Sequence, residues 1–232
     1  MTVRKQVPYI IGIDEVGRGP LAGPVVVCAV AIPRTFRAAS IKQCVPLRDS
    51  KKLSALQRGA WAATIKTNPH IRHAISAISP RTVDRINVTQ AANRAATRAL
   101  TKLIAALPAP TRIDVFLDGG LFILPGTQFA IRNLKSNTKK KYTAIFHNKE
   151  TNQPIPLRVA TVIKGDEHIP TISLASIAAK EHRDAFMRRA HKKYPQYGFN
   201  RHVGYGTKRH IAAIKKNGHS PLHRKSFLKK IL

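Results

Sequence analysis

The chain has 232 residues, 43% of them hydrophobic, and carries 41 Lys and Arg against 11 Asp and Glu. This length fits one large domain or a core with a small appendage, and the apolar fraction excludes a wholly disordered chain. A formal net charge of +30 indicates a polyanionic partner, with nucleic acid favoured over an anionic membrane. Because the sequence has no run of 18 apolar residues, no signal peptide and only two Cys, we expect a cytoplasmic protein without a transmembrane helix.

The predicted elements begin with two β-branched strands at 9–16 and 24–32, whose Gly- and Pro-containing turn favours an antiparallel hairpin. The other predicted elements are, in chain order, a helix at 53–67, a strand at 73–79, a helix at 88–107, strands at 112–119, 127–131, 142–146 and 157–166, a helix at 173–194 capped by Ser173, and short helices at 207–217 and 221–231. This order predicts an α/β core over residues 1–194 and a helical C-terminal cap over 195–232.

Asp14 and Glu15 are adjacent carboxylates in an otherwise apolar predicted strand. Burying both is costly unless something compensates, and a hard divalent cation such as Mg²⁺ or Mn²⁺ is the common compensation. The alternative is a pair at a strand end, with one side chain in solvent.

Asp118 and Asp166 each follow an apolar predicted strand at a turn that contains Gly. Because strand ends in a mixed sheet bring distant segments together, these two acids and the adjacent pair are a candidate two-metal site for phosphoryl transfer. Taken singly, each Asp is equally well explained as a turn former.

Gly17-Arg18-Gly19 follows the acid pair directly. Glycine lets the backbone approach a ligand closely, and Arg offers a planar fork that matches phosphate. Pro20 interrupts any dinucleotide-binding spacing, and no phosphate-binding loop motif is present. His219 and His223 have a spacing that zinc could use, but no Cys or carboxylate accompanies them, so we do not predict zinc.

Several segments resemble bacterial ribonuclease HII, a type 2 ribonuclease H. The most specific are IDEVGRGPLAGPVV and YPQYGFNRHVGYGT, and DSKKLS, KGDEHIP, SLASIAAKEHRDAFM and HRKSF also occur in the family's order. The resemblance spans nearly the whole chain and implies a ribonuclease H-like mixed β-sheet core flanked by helices. It also implies a Mg²⁺- or Mn²⁺-dependent endonuclease that cleaves RNA in RNA/DNA hybrids and at single ribonucleotides in duplex DNA, leaving 5′-phosphate and 3′-hydroxyl ends.

The resemblance assigns roles to individual residues. The catalytic and metal-binding positions are Asp14, Glu15, Asp118 and Asp166. The substrate-binding positions are Gly17, Arg18 and Gly19, which read the 2′-hydroxyl, Tyr205, which stacks on the next deoxyribose, and Ser50, Lys51 and Lys180, which contact phosphates. A 2′-hydroxyl both donates and accepts, so it is the group that distinguishes RNA from DNA at one position. The structural alternatives are a half-buried Tyr205, a Lys180–Asp184 pair one helical turn apart, and a helix N-cap at Ser54.

The separation of Asp118 and Asp166, 48 positions, exceeds the family spacing, so residues of about 121–155 are interpreted as a basic hairpin inserted between core strands. Its Lys139, Lys140 and Lys141 either extend the duplex-binding face or form a solvated charge run. We expect a monomer that supports removal of RNA from DNA in replication and repair. A non-catalytic nucleic-acid-binding protein would leave the four acids unexplained, and a junction resolvase would not explain the Gly-Arg-Gly loop or Tyr205.

Overall fold

The computed structural model describes residues 7–36, 41, 47, 50, 53–108, 110–126, 128–132, 141–148 and 153–229. The predictions for Lys51, Lys139 and Lys140 lie outside the described residues. Within these ranges, no helix has the length and apolar character needed to cross a membrane.

A seven-stranded mixed sheet forms the centre of the molecule. Its strands are β1 (Val7–Val16), β2 (Val25–Pro33), β3 (Arg72–Ile78), β4 (Pro110–Asp118), β5 (Phe129–Arg132), β6 (Lys141–His147) and β7 (Pro154–Val162). Their spatial order is β3-β2-β1-β4-β7-β6-β5. Strand β4 runs parallel to both β1 and β7, and the other neighbours are antiparallel. The predicted hairpin of the first two strands is confirmed.

Helices lie on both faces of the sheet, as expected for the predicted α/β class. They are α1 (Ala55–Thr67), α2 (Pro80–Ile86), α3 (Val88–Ala105), α4 (Gly165–His168), α5 (Pro170–Lys193), α6 (Phe199–His202), α7 (Lys208–Asn217) and α8 (Lys225–Leu228), with a 3-10 turn at Pro195–Tyr197. The N-cap predicted at Ser54 is confirmed, since its side chain and that of Gln57 form a reciprocal capping box at the start of α1.

The two sheet faces carry separate hydrophobic clusters because side chains alternate along each strand. Ile11 and Ile13 of β1 pack into the cluster that contains the apolar face of α3. Ile10 and Val16 pack into the cluster with α5 and α1. The same alternation places the side chain of Asp14 on the α5 face.

Two local predictions around Asp166 are wrong. Helix α5 begins at Pro170 rather than at Ser173, because proline presets the backbone angle of the first helical turn. The Ser173 hydroxyl instead donates to the carbonyl of Asp166 at 2.6 Å. Strand β7 ends at Val162, and Lys164 adopts a left-handed conformation, so Asp166 lies in a short helix rather than at the end of a strand.

The predicted inserted hairpin forms β5 and β6, which pair antiparallel with each other. Strand β6 also pairs with β7, so β5 and β6 lie at one side of the sheet, and their origin as an insertion stays a prediction. At the other end of the molecule, the C-terminal segment packs onto α5 and the loop after β1. This third cluster contains Leu21, Ala22, Met187, Ala190, Tyr197, Phe199, Ile214 and Leu228.

Candidate active site

Two carboxylates meet at the ends of neighbouring parallel strands. Ile13 of β1 lies beside Leu117 of β4, so the next residues, Asp14 and Asp118, are neighbours on the α5 face of the sheet. Asp14 is only 5% exposed, and its Oδ1 accepts the backbone N–H of Glu15 at 2.7 Å. The structure therefore brings three of the four predicted acids, Asp14, Glu15 and Asp118, to the carboxyl ends of β1 and β4, which are called the acidic edge below.

The protonation equilibria of these acids reflect their crowding. Burial raises the pKa of Asp14 well above its usual range, and the charges of Glu15 and Asp118 raise it further. Burial also raises the pKa of Glu15, although Arg18 opposes the shift. Arg18 Nη1 lies 3.2 Å from Glu15 Oε1. Simultaneous ionisation of Asp14, Glu15 and Asp118 is therefore unfavourable unless a further positive charge binds beside them.

A pair of serine hydroxyls supports Asp14 from the side of α5. The Ser176 hydroxyl is hydrogen-bonded to the Asp14 carboxylate and lies 2.8 Å from Ser50 Oγ. An ionised Asp14 carboxylate only accepts, so in that state Ser176 donates to Asp14 and Ser50 donates to Ser176. Ser50 is 3% exposed and its hydroxyl is used inside the protein, and a phosphate contact of Ser50 stays a prediction.

Asp166 directly follows Gly165, whose backbone contacts Asp118. The Gly165 N–H donates to Asp118 Oδ1 at 2.7 Å. A Cβ at Gly165 would lie 2.5 Å from Ile172 Cδ1 and 3.3 Å from Asp118 Oδ1, so a larger residue there would require both side chains to shift. The residue that follows, Asp166, is buried in α4 at 7% exposure.

The loop that contains Gly17, Arg18 and Gly19 lies against the loop that carries Tyr205. A Cβ at Gly19 would be 4.0 Å from Tyr205 Cε1, and the Leu21 N–H donates to the Gly204 carbonyl at 2.8 Å. Tyr205 is 44% exposed, so its ring is presented at the surface rather than packed in the core.

The predicted structural pair of Lys180 and Asp184 is confirmed. Lys180 Nζ lies 2.6 Å from Asp184 Oδ2 and 2.7 Å from Oδ1, one turn apart on α5. A phosphate contact of Lys180 stays a prediction.

Two buried arginines behind the 17–19 loop were not predicted from the sequence. Arg183 and Arg224 are fully buried and bind backbone carbonyls. Arg224 Nη1 donates to the Arg18 carbonyl at 2.8 Å, and Arg183 Nη2 donates to the Ala22 carbonyl at 3.0 Å. Burial and, secondly, the charge of Arg183 lower the pKa of Arg224 to about 10. The one sequence signal was their place in the segments SLASIAAKEHRDAFM and HRKSF.

The chemistry of the acidic edge fits a divalent metal, although the acids do not already form a closed cage. In the described part of the chain, no three His, Cys, Asp or Glu side chains are grouped so that they could hold an ion. However, Glu15 Oε2 is buried without a hydrogen-bond partner among the described residues. A buried carboxylate oxygen of this kind favours a nearby cation, and Mg²⁺ and Mn²⁺ prefer oxygen ligands.

Comparisons with known proteins identify the family. The chain matches the family model for ribonuclease HII over residues 11–230. Ribonuclease HII of Pelodictyon phaeoclathratiforme is 41% identical over 219 residues, which cover 94% of this chain and 88% of the relative. The ribonuclease H2 of Pyrococcus horikoshii OT3 shares the fold, with a TM-score of 0.66, 20% identity and 96% of both chains covered. Bst-RNase HIII in complex with Mn²⁺ also shares it, with a TM-score of 0.61, 19% identity, and coverage of 97% of this chain and 70% of that one. The chain therefore belongs to the ribonuclease HII family and is a ribonuclease H that acts on RNA/DNA hybrids.

Proposed function

We propose that this ribonuclease H cleaves RNA both in RNA/DNA hybrids and at single ribonucleotides embedded in duplex DNA. The reaction is a divalent-metal-dependent hydrolysis that leaves 5′-phosphate and 3′-hydroxyl ends. Its main support is the joint position of Asp14 and Asp118 beside a glycine-rich loop that touches an exposed tyrosine. This activity serves the removal of RNA from DNA in replication and repair.

The acids are proposed to bind the metal. Asp14, Glu15, Asp118 and Asp166 would hold Mg²⁺ or Mn²⁺, which when bound supplies an activated water and stabilises the leaving 3′-oxygen. The protein's own groups orient these ligands: the Ser176 hydroxyl fixes Asp14, and the Gly165 N–H fixes Asp118. The Mn²⁺ bound by Bst-RNase HIII, which shares this fold, supports a metal of this kind.

Recognition of the ribonucleotide is proposed to use the 17–19 loop and Tyr205. Backbone groups of a glycine-rich loop can meet a 2′-hydroxyl without an intervening side chain. The ring of Tyr205 lies beside Gly19, so it would cover the sugar next to the ribonucleotide. A deoxyribose fits under such a ring, whereas a further 2′-hydroxyl would be crowded.

Cleavage of matched duplexes with zero, one or four ribonucleotides tests the proposal. We expect cleavage with one and with four ribonucleotides, only with Mg²⁺ or Mn²⁺, and no cleavage of the all-DNA duplex. Ligation of the products and their sensitivity to phosphatase identify the end groups. Equal cleavage of the all-DNA duplex would refute the assigned 2′-hydroxyl recognition, and cleavage in excess chelator would refute the metal requirement.

A basic groove beside the acidic edge is the proposed path of the duplex backbone. It has a volume of about 600 Å³, and its lining residues include Arg34, Arg112, Asp114, Phe116, Lys141 and Arg158. Phe116, one lining residue, precedes Asp118 by two residues on the same sheet face, so the Cα atoms of these two residues are about 7 Å apart. With four cations against one carboxylate, the lining of the groove favours binding of phosphate groups. Contacts with phosphate carry little information on the base sequence of the substrate.

Arg158→Ala is therefore expected to weaken hybrid binding equally for all sequences. The logarithm of the binding constant should depend less steeply on salt, with a slope reduced by about 1, because one phosphate contact is lost. Binding titrations at several salt concentrations measure this slope. Lys102→Ala removes an exposed charge from α3, across the sheet, and serves as the control. Equal changes in both variants would mean that the groove contributes only diffuse charge.

The two alternative functions do not account for these findings. A non-catalytic binding protein does not fit membership of a ribonuclease family. A junction resolvase would share the acids, but would have no use for an exposed tyrosine against a Gly-Arg-Gly loop. We further propose that the enzyme acts as a monomer in the cytoplasm.

A further inference from the structure

The two loops proposed to read the ribonucleotide junction are both held by one dipeptide of the C-terminal segment, His223-Arg224. Leu21 and Ala22, after the 17–19 loop, donate backbone N–H groups to the Gly204 carbonyl at 2.8 and 3.3 Å. The Arg224 N–H donates in turn to the Leu21 carbonyl at 2.8 Å. The loops are therefore joined to each other and to this dipeptide through the backbone.

The Arg224 side chain fixes the direction of the 17–19 loop. Its guanidinium donates to the carbonyls of Gly17 and Arg18, and it does so from a fully buried position. All described peptide bonds are trans, and a trans peptide directs its C=O and N–H to opposite sides. Because these two carbonyls point inward to Arg224, the N–H groups of Arg18 and Gly19 face outward, where a substrate sugar or phosphate would lie.

The His223 side chain fixes the Tyr205 loop through a second histidine. The Ser220 N–H donates to His223 Nδ1 at 2.9 Å, so the proton of a neutral His223 is on Nε2. His223 Nε2 lies 3.0 Å from His210 Nε2, which must then accept. His210 accordingly carries its proton on Nδ1 and donates to the Tyr205 carbonyl at 2.8 Å. These partners assign one consistent set of tautomers from Ser220 to Tyr205.

The surroundings of His210 and His223 keep both imidazole rings neutral. Burial lowers the pKa of His210 to about 4 and that of His223 to about 4. The ring of His202 stacks on that of His210, with centroids 4.3 Å apart. Protonating both rings would therefore place two positive charges in contact. A protonated His223 would also direct an N–H at the Ser220 N–H, which the observed hydrogen bond forbids.

We propose that His223 and Arg224 are positioning residues that set the spacing between the 17–19 loop and Tyr205, and with it the selectivity for a ribonucleotide–deoxyribonucleotide junction. This inference rests on the proposed function of those two loops. Neither residue is assigned contact with substrate. His223 acts through His210 on the Tyr205 backbone, and Arg224 acts through the loop carbonyls.

The test compares kcat and KM on a duplex with one ribonucleotide and on a hybrid with four. His223→Asn keeps an acceptor for the Ser220 N–H but loses the donor to His210. We expect its kcat/KM to fall about 10- to 100-fold on the single-ribonucleotide duplex, because a small displacement of the recognition loop misplaces the scissile bond. On the four-ribonucleotide hybrid, where several registers place a ribonucleotide correctly, we expect a loss of about threefold or less. The selectivity ratio is kcat/KM on the single-ribonucleotide duplex divided by kcat/KM on the four-ribonucleotide hybrid. This ratio does not depend on the fraction of active enzyme, so partial unfolding cannot imitate the effect.

His223→Gln and Arg224→Lys extend the test. Gln places an amide N–H near the former Nε2 position, so part of the selectivity should return. Lys keeps the charge of Arg224 but lacks the planar guanidinium that donates to both carbonyls, so selectivity should fall as in His223→Asn. His219→Asn alters an exposed neighbour in the same loop and should leave the ratio unchanged.

A double-mutant cycle separates this inference from the proposed function. If Tyr205→Ala leaves the ratio unchanged, the proposed role of Tyr205 fails. If Tyr205→Ala lowers the ratio and His223→Asn does not, the positioning role of His223 is overturned. If both lower it, the inference requires that His223→Asn add no further loss in the Tyr205→Ala background, and a fully additive loss overturns it.

Discussion

Asp14→Asn is expected to stabilise the metal-free protein while its activity falls about 1000-fold or more, equivalent to about 4 kcal/mol in the activation free energy. Asn keeps the shape of the side chain and can still accept the Glu15 N–H. It removes the cost of burying a charge and the repulsion from Glu15 and Asp118 that together raise the Asp14 pKa. We expect the free energy of unfolding to rise by about 1–2 kcal/mol.

The pH dependence of this gain follows from the direction of the pKa shift. The folded-state pKa of Asp14 lies above its unfolded value, so the folded protein binds the proton more tightly. Ionisation therefore costs nothing at a pH below the unfolded pKa, and its cost is complete only above the folded pKa. The advantage of the Asn variant should be small near pH 4 and largest near pH 8, which chemical denaturation in the presence of a chelator measures.

Glu181→Gln is the matched control for Asp14→Asn. Glu181 is a carboxylate on α5, and unlike Asp14 it has a charged partner, Arg58, at 3.2 Å. Its neutralisation should lower the free energy of unfolding by less than about 1 kcal/mol and leave cleavage unchanged. If Asp14→Asn destabilised the protein at pH 8 as Glu181→Gln does, the account of Asp14 as an uncompensated buried charge would be wrong.

The sequence was sufficient to locate the acids, because each stood out against its surroundings. Asp14 and Glu15 interrupt an apolar strand, and Asp118 ends one, and in a chain with 11 acids such positions are rare. The order of the strands and helices then predicted the α/β core, and the turn with Gly and Pro predicted the first hairpin. The local path to Asp166 was not predictable in this way, since the left-handed Lys164 that ends the extended segment has no signature in an apolar alternation.

The residues that hold the loops could not be found from local patterns, because their partners are far away along the chain. Arg224 contacts the carbonyl of Arg18, and Ser50 contacts Ser176, across 206 and 126 positions. The chain has 41 Lys and Arg, and composition predicts the same role, phosphate binding, for every one of them. Only the fold shows that Arg183 and Arg224 are buried and bind carbonyls instead of nucleic acid.

The contact between β1 and α5 shows how the fold places Asp14 against its serine support. A Cβ at Gly12 would lie 2.6 Å from the Thr171 carbonyl oxygen and closer still to the neighbouring backbone atoms of α5. From this contact, two strand residues lead to Asp14 and four helix residues lead from Ile172 to Ser176. Both steps advance by about 6–7 Å, so the side chains meet. Glycine at this position therefore sets the distance on which the Ser176–Asp14 hydrogen bond depends.

Gly12→Ala is expected to lower the free energy of unfolding by about 3 kcal/mol and the melting temperature by about 10 °C, because a methyl group would push against backbone that cannot rotate away. Any folded fraction should also lose activity, since α5 and the Ser176 hydroxyl would shift away from Asp14. Gly59→Ala is the control: Gly59 is exposed on α1, a Cβ there meets nothing within 4 Å, and alanine should stabilise the helix by about 1 kcal/mol. Thermal melts and cleavage assays of both variants check the pair. A Gly12→Ala protein as stable and active as the parent would show that β1 and α5 can separate freely, and the positioning of Asp14 by α5 would then be refuted.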